Sequence, residues 1–476
     1  MSRAYDIAAF LSLIGSIKSE DNPALVKQKS RDFYWYSPVL KRELASVTAD
    51  VVVTPKTEVE VATVLAAAHE LKIPVTARGG GTGNYGQAMP LTGGVLLNLI
   101  EMNKVLSIRS GRVVCEPGAL LGEVDKATAA SGQELRMFPS TRATATVAGF
   151  VAGGSGGVGS ITWGGLRDFG NVLRLRVLTL EAEPRALELT GEDLHKAVHA
   201  YGTNGVITEV EMPLAPQYDW IELILGFDNF EAASAYALAL AEQDGILKKL
   251  LTVVAGPAPH AYFLRHRSLI PSGKSVVLAL VAPHALDPLE AFTRHFKDAQ
   301  FLFNSSRAAP EALQGLPPIY ELAWNHTTLR ALRVDPAITY LQVRYPEDGA
   351  LAFIKRIHEK FASEMVGHLE LIRFNGRIGF AGLPLVRFTT EERLNEIMAE
   401  HEDMGAMIFN PHRYTLEEGG MKQTDATQLA FKRETDPDGL LNPGKMIAWE
   451  DPDFDFSARK NFLFPGLEAR ALAVQS

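Results

Sequence analysis

Apolar and polar positions follow two different periods along this chain, and the changes of period mark its elements. Residues 50–78 read strand, helix, strand. "DVVVTP" is a short apolar run, and "TEVEVATVLAAAHELK" sets Val59, Ala62, Val64, Leu65, Ala68 and Leu71 on one helical face before "IPVTAR" follows as a second run. Thr57 and Glu60 have the spacing of a capping box at the start of that helix. The glycine-dense stretch Arg78–Gln87, "RGGGTGNYGQ", then leads to the strand "GVLLNLI" (94–100) with no helix between them. "RVVCEPGA" and a helix over 120–131 come next. A second glycine-dense stretch, 146–165, reads as a loop that is too apolar (Val147, Phe150, Val151, Val158, Ile161, Trp163) to be a solvated linker. The strand "VLRLRVLTLEA" and the segment "YGTNGVITEVEMPLAP" complete the first half, which Pro213 and Pro216 close.

Beyond residue 216 glycines thin out and strands alternate with helices. Strand 222–227, helix 230–243, strands 250–255 and 275–282, and helix 288–296 are echoed by a second set. That set is strand 339–345, helix 350–363, strands 368–374 and 378–387, helix 390–403 and strand 406–410. Each set approximates a β-α-β-β-α-β unit, so the two are expected to join in one antiparallel sheet with helices on one side. The fold class is α+β. The divisions expected are an N-terminal helical segment (1–44), a first domain (45–216), a second domain (217–430) and a C-terminal return to the first (431–476), with turns, a short closing strand and a surface wrap from Glu450.

At 476 residues the chain exceeds one compact core. A hydrophobic content of 46% with 22% charged residues is that of a folded protein and argues against disorder. The net charge of −9, without a long Lys/Arg run, sets nucleic acid aside as a partner. The single cysteine, Cys115, excludes an intrachain disulfide framework or a multi-cysteine metal site and fits a reducing compartment; its plain reading is a buried core thiol. Residues 1–16 read as a short helix without a cleavage signature, and no apolar run reaches the roughly 18 residues that span a bilayer. A cytoplasmic protein, at most peripheral to a membrane, is expected.

The chemistry begins with the loop Arg78–Asn84. Consecutive glycines allow positive φ and let successive N–H groups converge on an anion such as a diphosphate. No helix starts there, so the loop is not a Rossmann fingerprint and a nicotinamide-dependent reductase is disfavoured. Two companions, 146–165 and "GTNGVITEV" (202–210), offer further backbone surfaces to one extended ligand.

These three pieces, in this order, resemble the FAD-binding (PCMH-type) domain of the flavoproteins related to vanillyl-alcohol oxidase and p-cresol methylhydroxylase. The chain looks most like the branch of 2-hydroxy-acid dehydrogenases and the glycolate oxidase flavin subunit, and "DGLLNPGKM" (438–446) matches that branch's return to the flavin. The resemblance implies a two-subdomain FAD-binding domain with an α+β substrate (cap) domain. It implies that Gly79, Gly80, Gly81, Thr82, Gly83 and Asn84 hold the pyrophosphate. Pro139, Ser140, Thr146, Gly149, Gly153, Gly154, Ser160 and Ile161 are implied to line the flavin, with Ile207 near the adenine and Asn442 and Lys445 closing over the ring. Members that bind flavin covalently often carry histidine where this chain has Thr82, so non-covalent FAD is expected.

The branch's histidine-rich metal motif and Glu-His-Gly segment are not intact here: Glu418 stands where the latter's histidine is expected, and no metal is carried over. His412, Tyr414, Glu417 and Glu418 nevertheless crowd before a Gly419-Gly420 turn, a place suited to acid/base work, and the alternative is a set of solvated loop charges. His326 in "WNHTTL", with Trp324 and Asn325, is a second candidate base. Arg373 and Arg377, flanking an Asn375-Gly376 turn, are candidates to pin a substrate carboxylate, with Arg344 and Arg413 weaker ones. The expectation is oxidation of a CH–OH group of a small substrate, a hydroxy acid first, with His412 as the first candidate base and Glu418 and His326 behind it. Alternatives are oxidation of another alcohol, phenol, sugar or amine, or an electron-transferring flavin subunit. A quinone, cytochrome or iron–sulfur partner and a homodimer are open.

Overall fold

The computed structural model describes residues 5–374, 376–419 and 426–455. In its first half a small sheet runs in the order Ser19–Glu20, Val51–Val53, Val95–Asn98, Val75–Arg78. Both Val51–Val53 and Val75–Arg78 are parallel to Val95–Asn98. Parallel neighbours need a long crossover, and from 78 to 95 the glycine stretch itself provides it. The helix Glu58–Glu70 packs Val61, Val64, Leu65 and Ala68 into this sheet's core. Thr57 caps it by accepting from Glu60 N at 3.2 Å, while the Glu60 carboxylate accepts from Lys56 N. Val59, expected on the apolar face, is 75% exposed, because it sits in the first turn on the side away from the sheet.

A second, antiparallel sheet follows the order Val105–Arg109, Arg112–Cys115, Val206–Pro216, Arg174–Leu178, Ala186–Thr190, with Gln133–Leu135 also pairing to Val206–Pro216. Cys115 ends its strand fully buried, and burial pushes its thiol up to about 12. The stretch expected as a loop from 146 contains two short helices, Val147–Gly153 and Ser160–Trp163. Thr146 caps the first, accepting from Gly149 N at 3.2 Å, and its apolar residues Val147, Phe150 and Val151 are buried. Cap and apolar burial outweigh the glycines' conformational freedom.

The second half forms one eight-stranded antiparallel sheet: Gln300–Asn304, Ile221–Phe227, Ser275–Val281, Lys248–Val254, His368–Phe374, Arg377–Gly382, Val343–Arg344, Met407–Ile408. From the central junction, where Thr252 pairs with Glu370, each repeat adds its strands in the same order outward: second, third, first, fourth. Helices Phe230–Ala241, Leu286–Thr293, Ala350–Lys360 and Glu391–Asp403 bury Tyr236, Leu289, Ile354 and Ile397 on one face, against Leu225, Val253, Leu371 and Phe380. Side chains of this size contribute roughly 1.5–3 kcal/mol each on burial. On the opposite face Ile224, Leu250, Val254 and Leu278 join a core with Leu135, Phe138, Val147 and Leu175 of the first half.

Two expected strands are broken at matching places. Ile338–Tyr340 pairs with Leu385–Arg387 in a three-stranded sheet with Met365–Val366, whereas Val343–Arg344 pairs with Gly382 and Ala381 in the large one. Pro384 has no N–H for a ladder, and Gly382 lies against the Tyr345 ring, where a Cβ would come within 2.5 Å. Gln342 and Leu383 sit at this step between sheets. At the C-terminal end Leu441 makes a parallel bridge to Val75, and the expected closing strand is instead a one-turn helix, Ile447–Glu450. Among the described residues no helix is long and apolar enough to cross a membrane.

Candidate active site

The strand Val75–Arg78 delivers the glycine stretch to the rim of a cavity of about 210 Å³. Among the described residues, the N–H groups of Gly80, Gly81, Thr82, Gly83 and Asn84 donate to no protein group. Five successive donors along one wall form a ready anion cradle. The glycines are required for two separate reasons. Gly81 has φ +64°, but at Gly79 and Gly80 close approach decides: a Cβ would stand 2.0 Å from Thr146 Oγ1 and 2.1 Å from the Thr144 carbonyl. Arg78 folds back along the loop, donating to the carbonyls of Gly79 (3.3 Å) and Arg31 (3.2 Å), and burial lowers its pKa against the opposing effect of Asp32.

Of the expected cofactor residues, Gly79, Gly80, Gly81, Thr82, Gly83, Asn84, Pro139, Ser140, Thr146, Gly149, Gly153, Gly154 and Ile207 all line this one cavity. Four others lie elsewhere. Ser160 borders a side chamber and accepts from Gly157 N at 2.9 Å, while Ile161 packs into the helix-side core of the large sheet. Asn442 and Lys445 brace the glycine stretch from behind. The Asn442 amide donates to the carbonyls of Gln87 (2.9 Å) and Tyr201 (2.7 Å), and Lys445 Nζ donates to the Gly86 carbonyl at 2.6 Å. Burial lowers Lys445 to about 7 and raises Asp32 to about 6, each opposed by the other's charge.

The wall opposite comes from the second half. Trp324, Asn325 and His326 open the helix Asn325–Leu332 and reach the cavity together with Gln342 and Leu383 from the step between sheets. Trp324 has φ +53°, an unfavourable conformation for a residue with a Cβ. Its N–H is held at 2.6 Å by Glu370, a fully buried carboxylate that also accepts from Thr252 (2.6 Å) and meets His368 Nε2 at 2.9 Å. Trp324 Nε1, Asn325 Oδ1 and His326 Nδ1 are buried without a protein partner. Burial, reinforced by Arg330 and Arg333, lowers His326 to about 4, so its ring is neutral at pH 7. Tyr85 donates to Gln342 and Asn84 donates to Tyr340 at 2.6 Å, tying the glycine stretch to this wall.

The other candidate groups stand outside the cavity. His412 is buried, with Nδ1 accepting from Ser37 Oγ at 2.7 Å and Nε2–H donating to the Tyr340 carbonyl at 3.0 Å; burial lowers it to about 3. The ring serves as a bracket between the N-terminal segment and the second half. Tyr414 faces Lys445 at 4.9 Å, Glu417 accepts from Ala448 N, and Glu418 is exposed and accepts from Thr415. Arg413 lies 3.7 Å from Glu43. Arg377 is exposed beside Glu347 and Asp348. Arg373 donates to Asp244, Ile161 O and Gly376 O and borders the side chamber, as does Arg344, which pairs with Glu347. Asn375 and Gly420 lie outside the described residues.

Residues 49–186 match the family described as the FAD binding domain. The chain carries this domain over that stretch. FAD is its cofactor. Among relatives, an uncharacterized FAD-linked oxidoreductase of Mycobacterium tuberculosis is 32% identical over 245 residues, 49% of this chain and 51% of that protein, so the chain spans about half the length of that relative. The glycolate oxidase subunit GlcD of Bacillus subtilis is 27% identical over 436 residues, 84% of this chain and 89% of that one. A solved alkyldihydroxyacetonephosphate synthase superposes with a TM-score of 0.70 at 15% identity, covering 93% of this chain and 86% of that one, which shows a shared fold.

The cavity of this FAD-binding chain fits such a ligand. The run of unpaired N–H groups from Gly80 suits a diphosphate, and the glycine surfaces at 149–156 and 202–205 leave room for a flat ring system. The third wall holds a residue that pattern reading passed over. His199 (φ +57°) is buried in the lining with Nδ1 unpartnered, and burial, with Arg167, lowers it to about 3. Tyr36, Tyr85, Gln87 and Tyr201 were likewise missed, since nothing in their spacing marks them.

Proposed function

We propose that this chain is an FAD-dependent oxidoreductase that oxidises a CH–OH group of a small substrate, with 2-hydroxy acids the first class to test. FAD, when bound, supplies the hydride acceptor. The observation that carries the reading is His326: its neutral ring belongs to the lining that the glycine cradle shares, and its Nδ1 is buried without a protein partner. A neutral imidazole there can take the hydroxyl proton. Trp324 Nε1 beside it, also without a protein partner, is a donor for the oxygen of the same hydroxyl. Glu370 holds the backbone N–H of Trp324, the residue at the start of the helix that carries His326. The kinship with glycolate oxidase subunit GlcD supports a hydroxy acid. Because Arg373 and Arg377 are engaged elsewhere, neutral alcohols belong in the same panel.

The experiment is anaerobic titration of the FAD-loaded protein with hydroxy acids, alcohols, phenols, sugars and amines, followed at the flavin absorption band. Bleaching by a hydroxy acid is the expected result. If no donor bleaches the flavin, the chain is an electron-transferring subunit instead. Reoxidation of the bleached protein by oxygen, a quinone analogue or a cytochrome then identifies the acceptor. With Thr82 in the loop, we expect acid precipitation to leave the yellow colour in the supernatant.

A further inference from the structure

The main cavity does not end at Trp324. Ser155, Gly156, Trp324 and Gln342 line both it and a side chamber of about 40 Å³, so the two spaces share a partition. That volume accommodates about three methylene-sized groups. Ile372, Phe374, Ala381, Phe409 and the Trp324 side chain form its wall. Two arginines border it, yet both are committed. The Arg344 guanidinium stacks 4.4 Å from the Phe374 ring centroid and pairs with Glu347 at 2.6 Å, while Arg373 satisfies Asp244 and two carbonyls. A second carboxylate in the chamber would compete with Glu347 and Asp244 for these two arginines, whereas an alkyl or aryl group would meet carbon on most sides.

Resting on the proposed CH–OH oxidation, we propose that this chamber receives an apolar substituent of the substrate, making the preferred donor a hydroxy compound with a short aliphatic or aryl tail. The oxidised carbon lies on the His326 side of the partition and the tail on the Ile372 side. Each buried methylene is expected to raise kcat/KM about fourfold, up to the chamber's capacity of about three groups.

The test is the rate of anaerobic flavin reduction in the holoenzyme with unbranched 2-hydroxy acids from two to eight carbons, matched primary alcohols, and 2-hydroxyglutarate. Rates should climb to a maximum near five or six carbons, with 2-hydroxyglutarate at least tenfold below its apolar counterpart. Ala381→Leu should collapse the ratio of long-chain to short-chain kcat/KM, and Phe409→Ala should move the maximum to a longer chain, so that either variant suffices if the other fails to fold. Flat chain-length dependence, or 2-hydroxyglutarate as the best donor, overturns the proposal while leaving CH–OH oxidation standing. If no hydroxy compound reduces the flavin, difference spectra of the bound flavin with ethanol through hexanol decide the chamber separately: tighter binding of longer alcohols supports it, and equal binding overturns it.

Discussion

The cavity's two long walls are built by different means. The cofactor side, Arg78–Asn84 with 139–156, is mostly backbone: free N–H groups, and glycines pressed to within atomic contact of Thr144 and Thr146. The substrate side, Trp324–His326 with Gln342 and Leu383, consists of side chains. A buried carboxylate and a step between two sheets bring them together from distant stretches of sequence. A backbone wall restricts which residues its own stretch can hold. A side-chain wall leaves its own stretch unrestricted and depends on contacts far away.

The largest effect that would break this contrast is at Glu370. In Glu370→Ala, Trp324 N, Thr252 and His368 lose their shared acceptor, and the unpaired groups should destabilise the fold by about 3 kcal/mol or more, read by urea unfolding. Glu370→Gln, which keeps an acceptor for Trp324, should recover part of the flavin-reduction rate. A Glu370→Ala protein with unchanged stability and rate would show that the wall does not depend on that carboxylate.

Gly80→Val tests the other side. Its side chain would collide with the Thr144 carbonyl, and overpacking of about 1–3 kcal/mol should weaken FAD binding roughly 5- to 150-fold, measured by flavin fluorescence on dilution. Full retention would mean that backbone approach is not what shapes this wall.

Acidity provides a third separation. His326, lowered to about 4, and His199 and His412, lowered to about 3, all titrate below the ordinary 6.5. The unfolded chain therefore binds these protons first as pH falls. The stability tied to the neutral rings is complete above about pH 6.5 and is lost as pH drops toward 4 and 3. Each ring contributes a slope of up to about 1.4 kcal/mol per pH unit. His412→Gln should flatten the dependence of unfolding free energy between pH 6 and 4.5 by that amount while leaving the pH profile of flavin reduction in place. A shift of that profile would return His412 to the chemistry. The smallest effect expected is at Tyr85→Phe, which removes the hydroxyl donated to Gln342 and should cost about 1 kcal/mol, seen as a few-fold rise in KM with kcat nearly unchanged.

The same contrast explains what could be read from the chain. The strand–helix–strand start, the glycine stretch and the doubled β-α-β-β-α-β unit were legible because local period and glycine content carry them. Thirteen expected cofactor positions share one cavity for the same reason. Lys445 and Asn442 were placed near the flavin by motif, and their position behind the loop depends on contacts to Gly86, Gln87 and Tyr201 that no local pattern encodes. The acidic cluster at 412–418 has the composition of a site without facing the cavity. The step that presents Gln342 and Leu383 had one visible sign, Pro384 inside an apparent strand.

The most direct measurement is stopped-flow anaerobic reduction of FAD-loaded wild type and His326→Ala by the best donor of the panel. With flavin content equal, the variant should be slower by roughly 10²- to 10⁴-fold, and the wild-type kcat/KM should hold level as pH falls until it drops near pH 4, where His326 gains its proton. Equal reduction rates in the two proteins would contradict His326 as the base.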